Sequence, residues 1–416
     1  MRINLEYGRS GLQVDLPDSA VVLQARHAPG LPDEVQGVRT ALRNPLGTAP
    51  LRDTVRATDR VAIVFPDITR PMPRRLVLPI LLEELAHVPR QNITLINAIG
   101  THRPNTPAEL QDMLGPEILG NYRVVQHNPR AASGMQYVGT SAYGNPVHIN
   151  ADFLAAHVKI LTGFIEPHFF AGFSGGPKAV LLGMASFENI LRNHSARMIG
   201  DPKATYACTD GNPIYEEMKQ IAQMIGPCFA LNVTLNRERR ITSVFAGDVF
   251  QVHQCGAQFA RTVSLLPVER PFDVVVTTNS GYPLDLNLYQ AVKGMDTAAR
   301  IVKPGGAVIM AAECSQGVPP EGNFRELLRR RSTPQELLDM IHAFDSAIQD
   351  QWQVQILARI LCQARVCLYS SLPDEEVVGA HLTPIHDIAG AVKRTLNGGS
   401  LAVIPEGPQV IPVLRV

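Results

Sequence analysis

Short β-branched runs alternate along this chain with stretches of helical periodicity, and that alternation restricts the possible folds more than any other feature. Strands are predicted at Val61–Phe65, Ile93–Ala98, Val158–Thr162, Phe229–Val233, Asp273–Thr278, Ala307–Ala312, Val366–Tyr369 and Leu401–Ile404. Several are apolar on both faces, as strands in a covered parallel sheet must be. Helical stretches such as Arg74–His87 and Thr333–Ala343 lie between them. Strand–helix alternation predicts an α/β architecture with mostly parallel sheets. A length of 416 residues suggests roughly two to three domains of about 150 residues each. The piece Leu266–Pro271 follows a predicted helix over Gln251–Thr262 and carries two prolines, so it reads as a connection. The spacing therefore predicts a first α/β domain over residues 1–268 and a second over residues 269–385. A second connection, Pro405–Pro408, lies in a last segment, 386–416, expected to return to and complete the first domain, with the active-site cleft between the two domains.

Composition narrows the function classes. Lysine plus arginine and aspartate plus glutamate both number 38, so nothing points to nucleic acid or an anionic membrane surface. No stretch approaches the roughly 18 apolar residues of a membrane-spanning helix. The opening Met1-Arg2-Ile3-Asn4-Leu5-Glu6 has no charged start followed by an apolar run, so a cytoplasmic protein is expected. The cysteines, Cys208, Cys228, Cys255, Cys314, Cys362 and Cys367, never fall at C-x-x-C spacing. That argues against a zinc ribbon, a redox dithiol or a disulfide framework.

Ligands of open α/β sheets sit beyond the carboxyl ends of strands, and polar residues concentrate there in this chain. After Val61–Phe65 comes Pro66-Asp67-Ile68-Thr69-Arg70-Pro71, just ahead of a helix, where backbone N–H groups attract anions and Arg70 can grip a carboxylate or phosphate. After Ile93–Ala98 comes Ile99-Gly100-Thr101-His102-Arg103-Pro104, a histidine on a glycine turn suited to acid/base work near neutrality. The densest run follows Val158–Thr162: Gly163-Phe164-Ile165-Glu166-Pro167-His168-Phe169-Phe170-Ala171-Gly172-Phe173-Ser174-Gly175-Gly176-Pro177-Lys178. Its glycines let backbone amides approach a ligand closely, and Lys178 opens a helical run. A lysine at a helix start is electrostatically disfavoured unless a phosphate or a covalent adduct accompanies it. His168 is a second acid/base candidate. This is not a Walker A loop, and neither G-x-G-x-x-G nor H-E-x-x-H occurs anywhere. His194 is expected on a helix capped by Ser186, where a lone histidine is more often structural than a ligand. In the second domain, Tyr289, Gln290 and Lys293 fall on roughly one helical face, able to bind a carboxylate and a hydroxyl or simply to be solvated.

The run Gly163 to Lys178, with the other four motifs in the same order, resembles the nickel-dependent lactate racemase family, and the likeness extends over most of the chain. The resemblance implies a racemase or epimerase that inverts C2 of a small 2-hydroxy carboxylic acid by reversible hydride transfer. It implies a cofactor, a pyridinium-3,5-bisthiocarboxylic acid mononucleotide bearing nickel, attached covalently at Lys178. His194 matches the histidine that completes nickel coordination, and His102 and His168 match the acid/base pair. The stretch Asp67, Ile68, Thr69, Arg70 matches the loop that contacts the cofactor nucleotide, with Arg70 also near the substrate. Ser174, Gly175 and Gly176 fall in the cofactor cradle. Gln290 and Lys293 match the substrate-binding pair, and Tyr289 lies beside them. The first domain would then bind the cofactor, the second would contribute substrate contacts, and cofactor-synthesis enzymes would be transient partners. At Ala291 the lactate enzyme has a serine, which leaves the substrate open between lactate and a larger 2-hydroxy or sugar acid.

Two rivals come from other classes. A nicotinamide-dependent dehydrogenase explains the acid/base histidines and not the missing glycine fingerprint. A nickel-cofactor-binding protein without catalysis needs Lys178 and His194 and leaves the pair His102 and His168 without a task.

Overall fold

The computed structural model describes residues 1–415. The chain forms two units: His27–Asn193 with Asp201–Thr262, and Met1–Arg26 with His194–Gly200 and the chain from Val263 onward. Both are mixed α/β with mostly parallel sheets.

The first unit carries a six-stranded sheet in the order Ile241–Asp248, Phe229–Leu235, Val158–Phe164, Val61–Pro66, Ile93–Ala98, Arg123–Gln126. Neighbours are parallel except Phe229–Leu235 with Ile241–Asp248. Numbered along the chain, the strands lie 3-2-1-4-5-6, and the order reverses between Val61–Pro66 and Val158–Phe164. The crevice outside the carboxyl ends of such a pair is where this architecture binds ligands. Residues 61–65 are buried on both faces, as a central strand requires. Ile63, Phe65, Leu78, Leu81, Leu95, Ile160 and Leu231 share the core, each worth about 1.5–3 kcal/mol of burial. The helix Lys178–Met184 packs close to the sheet, because a Cβ on Gly183 would come within 2.9 Å of Ala98 Cβ.

The second unit's six-stranded sheet runs Thr383–Pro384, Arg365–Tyr369, Val302–Ala311, Phe272–Thr278, Leu401–Ile404, Val21–Val22, all parallel. An N-terminal hairpin, Arg2–Leu5 with Leu12–Asp15, puts Ile3, Leu5 and Val14 into the core that holds Val274, Val276 and Val403. Among the described residues, no helix is long and apolar enough to cross a membrane.

Three expectations are corrected here. The last segment does not complete the first domain: Leu401–Ile404 lies between Phe272–Thr278 and Val21–Val22, and Met1–Arg26 joins the same unit. Leu401–Ile404 is fully buried, and its apolar pattern calls for a covered sheet without naming which one. The connection Leu266–Pro271 is partly strand, because Leu265–Val268 pairs in parallel with Ile411–Leu414. His194 lies one residue beyond its helix, Phe187–Asn193, although Ser186 does cap that helix by accepting from the Asn189 amide at 3.3 Å. A single turn from Asn193 to Ala196 carries the chain into the other unit.

Candidate active site

At the reversal point of the first sheet, the loop after Val61–Pro66 carries Asp67, whose side chain is almost entirely buried. The Thr69 hydroxyl donates to Asp67 Oδ1 at 2.8 Å, and His102 Nδ1 donates to Asp67 Oδ2 at 2.7 Å. Burial pushes the Asp67 carboxyl up, but the His102 bond and charge, the Arg70 charge and the Thr69 hydroxyl outweigh it, and it titrates below its ordinary value. An ionised carboxylate on Nδ1 holds the neutral His102 ring with its lone pair on Nε2. The loop is held from beneath by the buried Arg74, which donates to the carbonyls of Pro66 at 2.9 Å and Arg70 at 2.8 Å, and also to that of Asp67. Burial lowers the Arg74 guanidinium to about 10, so it stays charged at neutral pH. Ile68 is exposed at the tip of the loop.

His102 reaches Asp67 because Gly100 turns with φ +57°, a conformation that favours glycine. A Cβ on Gly100 would lie 3.2 Å from the Leu182 carbonyl, so this turn rests on the helix that Lys178 begins.

The glycine-rich run after Val158–Phe164 forms a tight hairpin, Pro167–His168 with Gly172–Phe173. The Ala171 amide donates to His168 Nδ1 at 3.3 Å, so the neutral ring carries its proton on Nε2, the opposite tautomer to His102. The His168 ring also packs edge-on against Phe170, with centroids 4.5 Å apart. Ser174 closes the hairpin by donating to the Phe164 carbonyl at 3.0 Å and accepting from the Glu166 amide at 3.0 Å. Gly175 and Gly176 then turn with φ +77° and +51°. Lys178 follows as the first residue of its helix.

In the second unit, His194 is buried, with the Trp352 ring edge-to-face at 5.1 Å between centroids. Trp352 Nε1 donates to the Tyr289 hydroxyl at 2.9 Å. On the helix Leu288–Ala299, Lys293 Nζ donates to Gln290 Oε1 at 2.7 Å, so these two form one polar unit while Tyr289 turns toward Trp352. Ala291 is fully buried on the stripe with Leu288, Val292 and Met295.

The structure thus joins Asp67, Thr69 and His102 directly, and groups Ser174, Gly175, Gly176 and Lys178 in one turn. His194, Tyr289, Gln290 and Lys293 belong to the other unit. Sequence reasoning missed Arg74 and Trp352. The arginine gave no signal, and Trp352 is the single tryptophan of the chain. Among the described residues, no group of three or more His, Cys, Asp or Glu side chains converges to hold a metal. The glycine turn sets Lys178 at the first position of its helix, where its ammonium can meet an anionic cofactor, while the Gly176 amide is already bonded to Asn232 Oδ1.

Two family models match the chain, the Lactate racemase N-terminal domain over residues 7–207 and the Lactate racemase C-terminal domain over residues 268–412. The chain is 36% identical to the lactate racemase of Thermoanaerobacterium thermosaccharolyticum over 421 residues, covering 98% of both. It is also 36% identical to the lactate racemase of Lactiplantibacillus plantarum over 423 residues, covering 98% of this chain and 99% of the other. The solved lactate racemase apoprotein from T. thermosaccharolyticum matches with a TM-score of 0.94 at 35% identity, covering 99% of this chain and 100% of that one. A crystal structure of a Thermotoga maritima protein, at 18% identity and a TM-score of 0.68 over 92% of this chain and 98% of that one, shares the fold alone.

Proposed function

The chain belongs to the lactate racemase family and is an isomerase, and from that premise we propose that it inverts C2 of lactate or a close 2-hydroxy acid. The reading assigns Lys178 and His194 to a nickel-bearing pyridinium nucleotide, and His102 and His168 to proton transfer. The observation that carries it is the pairing of buried Asp67 with His102 Nδ1 at the sheet's reversal point, beside the helix begun by Lys178.

When bound, the nickel nucleotide supplies a hydride acceptor for C2. The protein's own residues do the rest. His102, its ring fixed by Asp67, presents a lone pair on Nε2 and takes the hydroxyl proton. Asp67 faces the positive charge that this transfer places on the ring. His168 serves the opposite face of the planar 2-keto acid: as the imidazolium it gives the oxygen a proton when C2 is reduced from that side, and it is left as the neutral ring. Lys293, steadied by Gln290, holds the carboxylate, and Arg70 assists from the loop beside Asp67. Because both enantiomers share the carboxylate and hydroxyl, one carboxylate clamp and one acid/base on each face serve both directions of the reaction. The protein works in the cytoplasm and meets the cofactor-synthesis enzymes when it is loaded.

Intact mass and metal analysis on protein co-produced with the cofactor-synthesis enzymes tests this reading. The expected result is an adduct of mononucleotide size on Lys178 and about one nickel per chain, with interconversion of the two lactate enantiomers. Loaded partner enzymes with no adduct and no nickel on this chain would overturn it.

A further inference from the structure

We propose that Asn232 is a positioning residue for the cofactor lysine, setting the Gly175–Gly176 turn from which Lys178 projects, with His253 as the wall behind it. The inference rests on the proposed attachment at Lys178. Neither residue belongs to the five motifs, and neither has a role in the proton transfers described above.

Asn232 sits on Phe229–Leu235 directly opposite Gly163 on the neighbouring strand, and its side chain is buried. Its Oδ1 accepts from the Gly176 amide at 2.8 Å, in a buried bond across 56 positions of sequence. The same oxygen lies 2.8 Å from where a Gly175 Cβ would stand. Asn232 Nδ2 lies 3.5 Å from a Cβ built on Gly163. One amide side chain therefore touches three glycines of the run that ends at Lys178. A buried backbone N–H left without a partner is costly, so the bond to Asn232 favours one orientation of the turn.

His253 completes the arrangement from the helix Val249–Ser264. A Cβ on Gly176 would lie 2.6 Å from His253 Cβ and 2.7 Å from its Cγ and Cδ2, so the ring stands flush against the turn. The ring stacks on Tyr215, with centroids 5.0 Å apart, and shares a 3.1 Å hydrogen bond from Nδ1 to the Tyr215 hydroxyl. Nothing in the proton chemistry requires a buried amide and a buried imidazole here. A lysine that must meet one carbonyl of a bulky cofactor does require a turn with a single orientation.

Three proteins test this: the wild type, Asn232→Leu, which removes the acceptor, and Asn232→Asp, which restores an oxygen at the same place. Each is co-produced with the cofactor-synthesis enzymes, and the fraction carrying the Lys178 adduct is read by intact mass. Hydrogen exchange of the Gly176 amide is read separately on the apoproteins. Asn232→Leu is expected to lower the adduct fraction tenfold or more and to speed Gly176 exchange by at least as much. Asn232→Asp is expected to return both to within about threefold of wild type, which a general loss of packing would not do. A folded Asn232→Leu protein with wild-type adduct, or an Asn232→Asp protein no better than the leucine variant, overturns the proposal. If Asn232→Leu does not fold, Asn232→Ala replaces it under the same criterion. A wild type that exchanges as expected at Gly176 yet never carries an adduct sinks the attachment reading and leaves the placement of the turn standing.

Discussion

His102 owes its orientation to Asp67, so changes at either should slow the same step. Removing the ring in His102→Ala is expected to slow racemisation by about 10²–10⁴-fold, the usual contribution of a positioned acid or base. Nickel content should be unchanged, since His102 is assigned to neither the metal nor the nucleotide. Asp67→Asn keeps the shape but offers an amide to Nδ1, which permits the wrong tautomer. Its rate should fall comparably, with substrate KM nearly constant. Chiral chromatography with nickel quantification checks both, and full activity in either variant would remove the pair from the mechanism. His253 supports a separate expectation about stability. Burial, with the Arg261 and Lys178 charges nearby, pushes its imidazole down to about 4, against 6.5 for the free side chain. Between those values the unfolded chain binds the proton and the folded one does not, so stability falls as pH drops from about 6.5 toward 4. The full effect is on the order of 3 kcal/mol. A His253→Phe variant should lose less stability than wild type over that window, as denaturant midpoints at pH 7, 6 and 5 would show. Parallel curves would mean that His253 is not buried neutral.

The helix Gln351–Gln363 shows how one element serves two site residues. Trp352 touches His194 and bonds Tyr289, Gln353 Nε2 donates to the Tyr289 carbonyl, and Gln355 Nε2 donates to the Ala196 carbonyl at 2.8 Å, two residues past His194. Replacing Trp352 by Phe keeps an aromatic edge for His194 and removes the donor to Tyr289. We expect about 1 kcal/mol of lost stability and a several-fold rise in substrate KM, with nickel retained. Thermal unfolding and steady-state kinetics on the loaded protein decide it, and a loss of nickel instead would place the tryptophan's main role at the metal. The strand positions were legible because β-branched runs buried on both faces leave few alternatives, and the loops after them were legible because ligand-binding residues collect at carboxyl ends. The histidine turn was less so: helical periodicity carries through Asn193, and nothing local marks the residue at which the helix stops.

At the scale of the whole chain, the second unit depends on residues from the far end of the sequence. Val21–Val22 covers the edge of Leu401–Ile404, and Ile3, Leu5, Val14 and Leu16 enter that unit's core. Their burial amounts to roughly 10 kcal/mol as an upper figure, comparable with the whole stability of a domain, about 5–15 kcal/mol. A chain lacking Met1–Arg26 should therefore express with its second unit unfolded or aggregated. Soluble yield and the cooperativity of thermal unfolding test this, and a soluble product with wild-type melting would show the N-terminal segment to be dispensable.

The sequence by itself determined the α/β class, the strands of both sheets that carry the candidate site, and the chemical character of the loops after them. Those properties are written in local periodicity and in residue type, which act over a few positions. It also determined the likeness to a known family through the run Gly163 to Lys178. The tertiary structure alone decided that Asp67 orients His102 across 35 positions, that Asn232 reaches Gly176, and that Val21–Val22 and Leu401–Ile404 pair in one sheet. A hydrogen bond or a strand pairing between distant positions depends on how the chain closes back on itself, and the residues at its two ends carry no local mark of each other.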